Sequence, residues 1–498
     1  MSKLARRILI FALTFLLVLA PLAGGERIVR PVLLIPVAST NPASEAAEPV
    51  AEPELAAAEA PAEAEEPAEA EAPAEAEAPA EAEAPAEAEE PAEAEEPEEA
   101  EAPAKAEEPA EAEAPAEPEP EKPSRPAPEA AALAAKLAEA PEAMPRLEEP
   151  KTLRHATIRA AGDLMVHIKQ LRIAKQKDGT YDFYPQYELV NGVLGNADYT
   201  IANLETTIGK YGKRDYSGYP LFNTPESLLD AVRDAGVDFL TLANNHMLDR
   251  YFEGMQTTVD WVEKYGFDHG GANRTPEERE TPVIVEVNGI RIGMLCYTQM
   301  TNDMESHCSP AVKQYGVNYL RKSSFNEDIA RLKDAGVDVI IAIPHWGEEY
   351  RRKPEQATIN MARYMIAAGV DVVLGSHPHM VQPVRYETVK TADGETRTGL
   401  VAYSLGNFIS NMLKRYTDSG IILQFTIQEK QEGGFEITSP AVVPIYCWKT
   451  DTMIRAVPSA KYYDEAPEGM TSDRYRRMKE TYRELRSLID DSIPFLGE

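Results

Sequence analysis

Cysteine is scarce in this sequence: three residues in 498, Cys296, Cys308 and Cys447. That is too few for a disulfide scaffold, and none has CxxC spacing. Cys296 falls in an apolar, strand-like run and reads as a core thiol; a Cys308–Cys447 bridge stays open. Positive charge is also short, with 50 Lys and Arg against 83 Asp and Glu, a net charge of -33. The deficit is local. Residues 41–150 carry about 30 of those net negative charges, and the remainder of the chain is nearly neutral. The acidity therefore belongs to one segment and argues neither for nor against a polyanionic substrate. Histidine is rare too, eight in all, so where the histidines fall carries information.

The chain opens "MSKLARRILIFALTFLLVLAPLAGG". Lys3, Arg6 and Arg7 precede an apolar run of roughly 15 residues and then small residues, the layout of a secretory signal or an uncleaved anchor over residues 1–25. A second apolar piece, "VLLIPVAS", is too short to span a bilayer. The rest of the chain is expected outside the cytoplasm, membrane-anchored or secreted. From Pro61 to about Pro120 a hexapeptide of the type "PAEAEA" repeats. Alanine and glutamate favour helix, but a proline every sixth residue removes an intrahelical donor and clashes with the preceding turn. This disordered Glu/Pro/Ala stalk, a low-complexity linker over residues 40–150, should be extended and partly polyproline II. At ~3.1 Å per residue its repeats could reach ~190 Å; a measured spacer and a slack linker read alike. Residues 129–145 could add a short Ala-rich helix.

Composition changes near Lys151, and apolar runs then alternate with helical patterns, the mark of an α/β domain over residues 151–415. One device occurs three times: "VRDAGVDFLTLANNH", "LKDAGVDVIIAIPHWG" and "MIAAGVDVVLGSHPH". Each closes an amphipathic helix at a glycine (Gly236, Gly336, Gly369) suited to the left-handed position. Each continues through Val-Asp into a strand that ends at histidine: His246, His345, and the pair His377 and His379. "ATIRAAGDLM" and "ADYTIANLETTI" end likewise at Asp163 and at Asn203 with Glu205. The repeated spacing predicts that all these residues reach one carboxyl edge of a single sheet, where α/β folds bind ligands. Half of the chain's histidines at equivalent strand ends, beside Asp163, Glu205 and Asn245, point to a metal site. Mixed imidazole, carboxylate and amide donors suit Mn, Fe or Zn better than Ca. Their number predicts two divalent ions.

The segments "AGDLM", "ANLE", "LANNHMLD", "PHWGEEY", "GSHPHMVQP" and "YSLGNFIS" strongly resemble the CapA-type capsule (poly-γ-glutamate) biosynthesis proteins of the calcineurin-like metallophosphoesterase superfamily. The resemblance covers about residues 154–415. It implies a layered α/β/β/α fold with Asp163 on one metal, Glu205 as the bridging carboxylate, and Asn245 and His345 on the other metal. It also implies His377 and His379 split between the two ions, and His246 as the acid that protonates the leaving group. Two departures stand out. The superfamily's Asp-x-His is absent, since Leu164 and Met165 follow Asp163 and His167 is the nearest substitute. The bridge is glutamate rather than aspartate.

The resemblance further implies poly-γ-glutamate or another anionic polymer as partner, with membrane synthase subunits and no nucleic acid. Lys210, Lys213 and Arg214, and Arg351, Arg352 and Lys353, could hold such a polymer or be solvated loop charges. Asn203, Trp346 and Asn407 are candidate pocket residues. His155, His269 and His307 read as structural or surface residues. Residues 416–498 are expected to form a β extension and a helix packed on the domain. Three readings stay open: a tethered dimetal hydrolase of capsule synthesis, a secreted metallophosphoesterase of nucleotides, lipids or wall polymers, and a silent scaffold of a membrane synthase.

Overall fold

The structure is a computed structural model that describes residues 152–210 and 215–497. The leader, the stalk with its Ala-rich helix, Lys213 and Arg214 lie outside the described residues. No helix among the described residues is long and apolar enough to cross a membrane.

Among the described residues, fourteen strands form two sheets. In the first, β1 (His155–Leu164) lies parallel to β2 (Tyr199–Leu204), followed by β3 (Phe239–Thr241) and β4 (Asp268–Gly270). On its other side β1 pairs antiparallel with β12 (Ser419–Glu429), which continues to β13 (Phe435–Lys449) and β14 (Ile454–Pro458). The short β11 (Asn407–Ile409) also runs parallel to β1. Residues after 415 are therefore integral to this sheet, with β12 beside its central strand. The second sheet orders β5 (Val283–Val287), β6 (Ile290–Thr298), β7 (Val339–His345), β8 (Val372–Leu374), β10 (Thr396–Ala402) and β9 (Val384–Lys390).

The apolar side chains show how the layers stack. Helices α1 (Ile168–Ala174), α2 (Ser227–Asp234) and α3 (Tyr251–Lys264) cover one face of the first sheet through Leu171, Leu229, Val232, Met255 and Val259. Helices α4 (Lys322–Asp334) and α5 (Gln356–Ala368) cover one face of the second through Phe325, Leu332, Met365 and Ile366. Each sheet thus keeps one apolar face without helices, and the two bare faces bury each other. Ile158, Ile201, Phe239 and Leu423 meet Ile292, Ile341, Val372 and Leu400. The result is a four-layer α/β/β/α sandwich. A last helix, α6 (Ser472–Arg486), packs Met478 against Tyr446 and Trp448, and its Leu485 joins the core between the sheets.

This corrects the expectation of a single sheet edge. The strand before His246 belongs to the first sheet, and those before His345 and His377 belong to the second. All three strands are buried on both faces, so their composition could not say which sheet each would join. The three device glycines do take positive φ, 105°, 68° and 126° for Gly236, Gly336 and Gly369. The cysteines are all free, so no Cys308–Cys447 bridge forms. The Cys447 thiol instead donates to the Ser410 carbonyl at 3.1 Å.

Candidate metal centre

The carboxyl ends of the two sheets meet, and each sheet contributes its own kind of donor. On the first, Gly162 lets β1 approach the turn before β11: a Cβ there would lie 1.9 Å from the Gly406 carbonyl oxygen. That close approach sets Asp163 opposite Asn407. Strand alternation then puts Asn203 and Glu205 on one side of the chain end and Leu204 in the helix-facing core. Asn203 Nδ2 donates to Asp163 Oδ1 at 2.8 Å and lies 3.5 Å from Glu205 Oε2. After β3, Asn244 pins the turn to β2: its amide donates to the Leu204 carbonyl (2.7 Å), and its oxygen accepts the His246 N–H (3.1 Å).

The second sheet supplies imidazoles. His345 ends β7, with Nδ1 3.0 Å from Ser376 Oγ. His377 and His379 follow β8 with φ of 97° and 55°. Two non-glycine residues in left-handed conformations within three positions is unusual, and such strain concentrates at functional sites.

Three polar atoms converge on His345 Nε2: Asn245 Oδ1 at 2.8 Å, His377 Nδ1 at 3.2 Å and Glu205 Oε1 at 3.7 Å. One ring N–H can serve only one of them. Donors bound about 2.1 Å from a tetrahedral cation are roughly 3.4 Å apart, a value that the distances of this set bracket. Asp163, Glu205 and His345 each place a ligand atom within 4.8 Å of the others. Nearby, His379 Nδ1 sits 3.2 Å from Asp163 Oδ2 and 3.1 Å from Asn407 Oδ1, and its Nε2 is 3.8 Å from Glu205 Oε1.

The electrostatics call for a cation. Asp163 and Glu205 are fully buried. Among the described residues, their ion-pair partners are histidines alone. Burial, then the His377 and His379 rings, hold His345 far below the usual imidazole range. Burial first and His379 next lower His377 to about 4. His345 and His377 are thus held in their neutral form at pH 7 and supply no balancing charge. Burial, followed by Asp163 and Glu349, pushes the Glu205 carboxyl well up. Its Oε1 is buried without a hydrogen-bond partner. An orphaned carboxylate oxygen between His345 on one side and His379 on the other fits a divalent metal. An uncompensated buried carboxylate would otherwise cost several kcal/mol.

His246 stands apart from this donor set. Its Nδ1 lies 2.8 Å from Asp249 Oδ2, which also accepts the Phe222 N–H at 2.7 Å. Burial raises the Asp249 carboxyl, and the hydrogen bond from His246 opposes that rise. The contact fixes the proton on Nδ1 and leaves Nε2 as the free ring nitrogen. The Phe222 ring meets His246 edge-on at 4.6 Å.

The structure therefore brings together Asp163, Asn203, Glu205, Asn245, His345, His377, His379 and Asn407, with His246 beside them. It leaves out His167, whose Nδ1 accepts the Asn411 N–H at 3.2 Å while its ring packs edge-on to Phe222. Trp346 does not line the pocket. Alternation turns it away from His345 into the core beneath α4 and α5, where its indole donates to the Tyr403 carbonyl at 3.0 Å. Arg351 pairs with Glu348 at 2.9 Å, Arg352 stacks on Tyr416 and Lys210 approaches the Tyr216 ring. Asn244, Asp249, Ser376 and Glu349 were missed from the sequence. All four lie inside the quoted motifs, and Asp249 stands three residues after His246.

The family described as bacterial capsule synthesis protein PGA_cap matches residues 157–412. The capsule biosynthesis protein CapA of Bacillus anthracis is 27% identical over 281 residues, 55% of this chain and 64% of that protein. The PGA biosynthesis protein CapA of Bacillus subtilis (strain 168) is 28% identical over 306 residues, 59% and 75% of the two chains. The chain thus spans under two thirds of the anthracis relative. Among solved structures, the calcineurin-like phosphoesterase YfkN from Bacillus subtilis aligns with a TM-score of 0.37 and 15% identity, covering 68% of this chain and 99% of that one. The match over 157–412 takes in every residue of the centre, and the chain belongs to the bacterial capsule synthesis protein (PGA_cap) family.

Proposed function

We propose that this protein is a metal-dependent hydrolase-type component of anionic capsule polymer synthesis, working outside the cytoplasm on its N-terminal tether. The observation that carries the reading is the buried Glu205 carboxylate, orphaned at Oε1 and flanked by the His345 and His379 imidazoles of the second sheet. Asn245, His345, His377 and Glu205 would hold one divalent ion, Mn, Fe or Zn. Glu205 and His379 Nε2 would hold a second, with Asp163 accepting from the far nitrogen of the His379 ring. A bound ion of this kind supplies Lewis acidity and lowers the pKa of water.

The chain's own groups do the rest. Asn203 holds the two carboxylates apart through its amide. Ser376 orients His345. Asp249 keeps the His246 proton on Nδ1, so that Nε2, once protonated, can deliver a proton to a leaving group. The names of the Bacillus relatives place them in capsule and PGA biosynthesis, and this supports a poly-γ-glutamate-like polyanion as substrate. The test is metal content of the full chain after reconstitution with Mn, Fe or Zn, with turnover on poly-γ-glutamate and on a generic phosphodiester. Metal with polymer cleavage supports the reading. Phosphodiester cleavage alone favours a metallophosphoesterase, and a metal-free, inert protein that still supports capsule formation favours a scaffold.

A further inference from the structure

The loop after β7 carries two adjacent glutamates with different surroundings. Glu348 pairs with Arg351 at 2.9 Å on the surface. Glu349 turns the other way, with Oε1 4.0 Å from His379 Nε2. The backbone is fastened on both sides of it. The Gly347 N–H donates to Gln299 Oε1 at 2.9 Å, and the Tyr350 N–H donates to the Pro378 carbonyl at 2.9 Å. Gln382 then donates to the Arg351 carbonyl, also at 2.9 Å. Tyr350 takes a left-handed φ of 65° to make this turn. Glu349 is thereby held to the segment that carries His377 and His379.

The tautomer of His379 gives this placement chemical meaning. Asn407 Nδ2 donates to the Thr417 carbonyl at 3.0 Å, which leaves its Oδ1 facing His379 Nδ1 at 3.1 Å. Asp163 Oδ2 faces the same nitrogen at 3.2 Å. Two acceptors on Nδ1 put the ring proton there, as second-shell carbonyls and carboxylates do for ligating histidines. Nε2, which then carries the lone pair, lies 3.8 Å from Glu205 Oε1 and 4.0 Å from Glu349 Oε1. Both distances are too long for hydrogen bonds. They fall in the ~3–4 Å range that separates donors sharing one cation with bonds of about 2.1 Å. The set around His345 uses neither His379 nor Glu349.

We propose that Glu349 is a metal ligand that closes, with Glu205 Oε1 and His379 Nε2, the position of a second divalent cation. The inference rests on the reading that this centre takes metal. The probe is Mn(II) on the full chain, followed by equilibrium titration, elemental analysis and electron paramagnetic resonance. Wild type should hold two ions per chain with an exchange-coupled spectrum. Glu349→Gln should keep one ion with a mononuclear spectrum and bind the second at least ~10–100-fold more weakly. Glu349→Asp should fall between them, and Glu348→Gln should match wild type. Glu349→Gln with two ions at wild-type affinity overturns the proposal, as does a wild type that holds one ion. A metal-free wild type refutes the parent reading and this one with it. Melting of the metal-free variants near wild type shows that folding is not the cause.

Discussion

The two sheets contribute opposite chemistry to one site. The first brings acids and amides: Asp163, Asn203, Glu205 and Asn245. The second brings His345, His377 and His379. Neither half makes a metal site alone. The carboxylate half is a pair of buried acids without a cation, and the imidazole half is a set of crowded rings in which burial lowers His345 and His377. The difference teaches that the centre exists only where the sheets pack, so metal binding and inter-sheet packing should be coupled.

The strongest way to break the comparison is to neutralise the acid half. Glu205→Gln removes the orphaned charge that faces both imidazole sets. Metal analysis should show loss of both ions, and the melting temperature should no longer rise with added metal. For wild type that rise corresponds to about 2.7 kcal/mol at a hundredfold excess over Kd. The metal-free variant should melt at or above metal-free wild type at pH 7, because an unfavourable buried carboxylate is gone. A variant that binds metal normally refutes the account of Glu205.

His246 comes from the carboxylate sheet yet is no part of the donor set, so it tests whether position or chemistry sorts the residues. His246→Ala should retain metal and lose about 10²–10⁴-fold in turnover. Asp249→Asn should also retain metal and lose turnover, with a changed pH–rate profile, because Asp249 acts through His246. Loss of metal in either variant would move His246 into the ligand set.

A smaller effect sharpens the coupling between the sheets. Ile341 lies between them, whereas Ile366 lies between the second sheet and its helices. Truncating either to alanine should cost about 2–5 kcal/mol. Calorimetric titration should find weaker metal binding only for Ile341→Ala. Equal affinity in the two variants would mean that the site does not depend on how the sheets meet.

Much of the site was legible because strand-end residues announce themselves. An apolar run that stops at Gly162-Asp163, or at His345, can hardly be read another way, and the left-handed glycines mark where each strand begins. The partition into two sheets was not legible, since β3, β7 and β8 are equally apolar on both faces. Trp346 misled because sequence adjacency to His345 says nothing about side, and alternation sends it to the opposite core. Asn244, Ser376 and Glu349 lie inside the motifs but act through contacts made only after the loops fold over the strand ends, so the motifs did not single them out.

The last prediction uses the opposite titration of the two halves in the metal-free protein. Burial and His379 hold His377 at about 4, below the 6.5 of a free imidazole. Between those values the unfolded chain binds the proton and the folded chain does not. Stability from His377 is therefore complete above pH 6.5 and is lost as pH falls towards 4, by roughly 2–4 kcal/mol. Burial lowers His345 as well, which adds to the same slope. Glu205 runs the other way. Its folded carboxyl is raised above 4.5, so its contribution is complete below pH 4.5 and is lost as pH rises through the folded value. Metal binding requires ionised Glu205 and neutral imidazoles, and it removes the high-pH loss. The gain in melting temperature on adding metal should therefore be larger at pH 7.5 than at pH 5. In the metal-free state, Glu205→Gln should flatten the high-pH side of the profile, and His377→Gln should flatten the acid side. Melting temperatures at pH 5, 6 and 7.5, with and without metal, check all of this. Parallel profiles for the two variants would show that the sheets do not carry opposite halves of the site's charge.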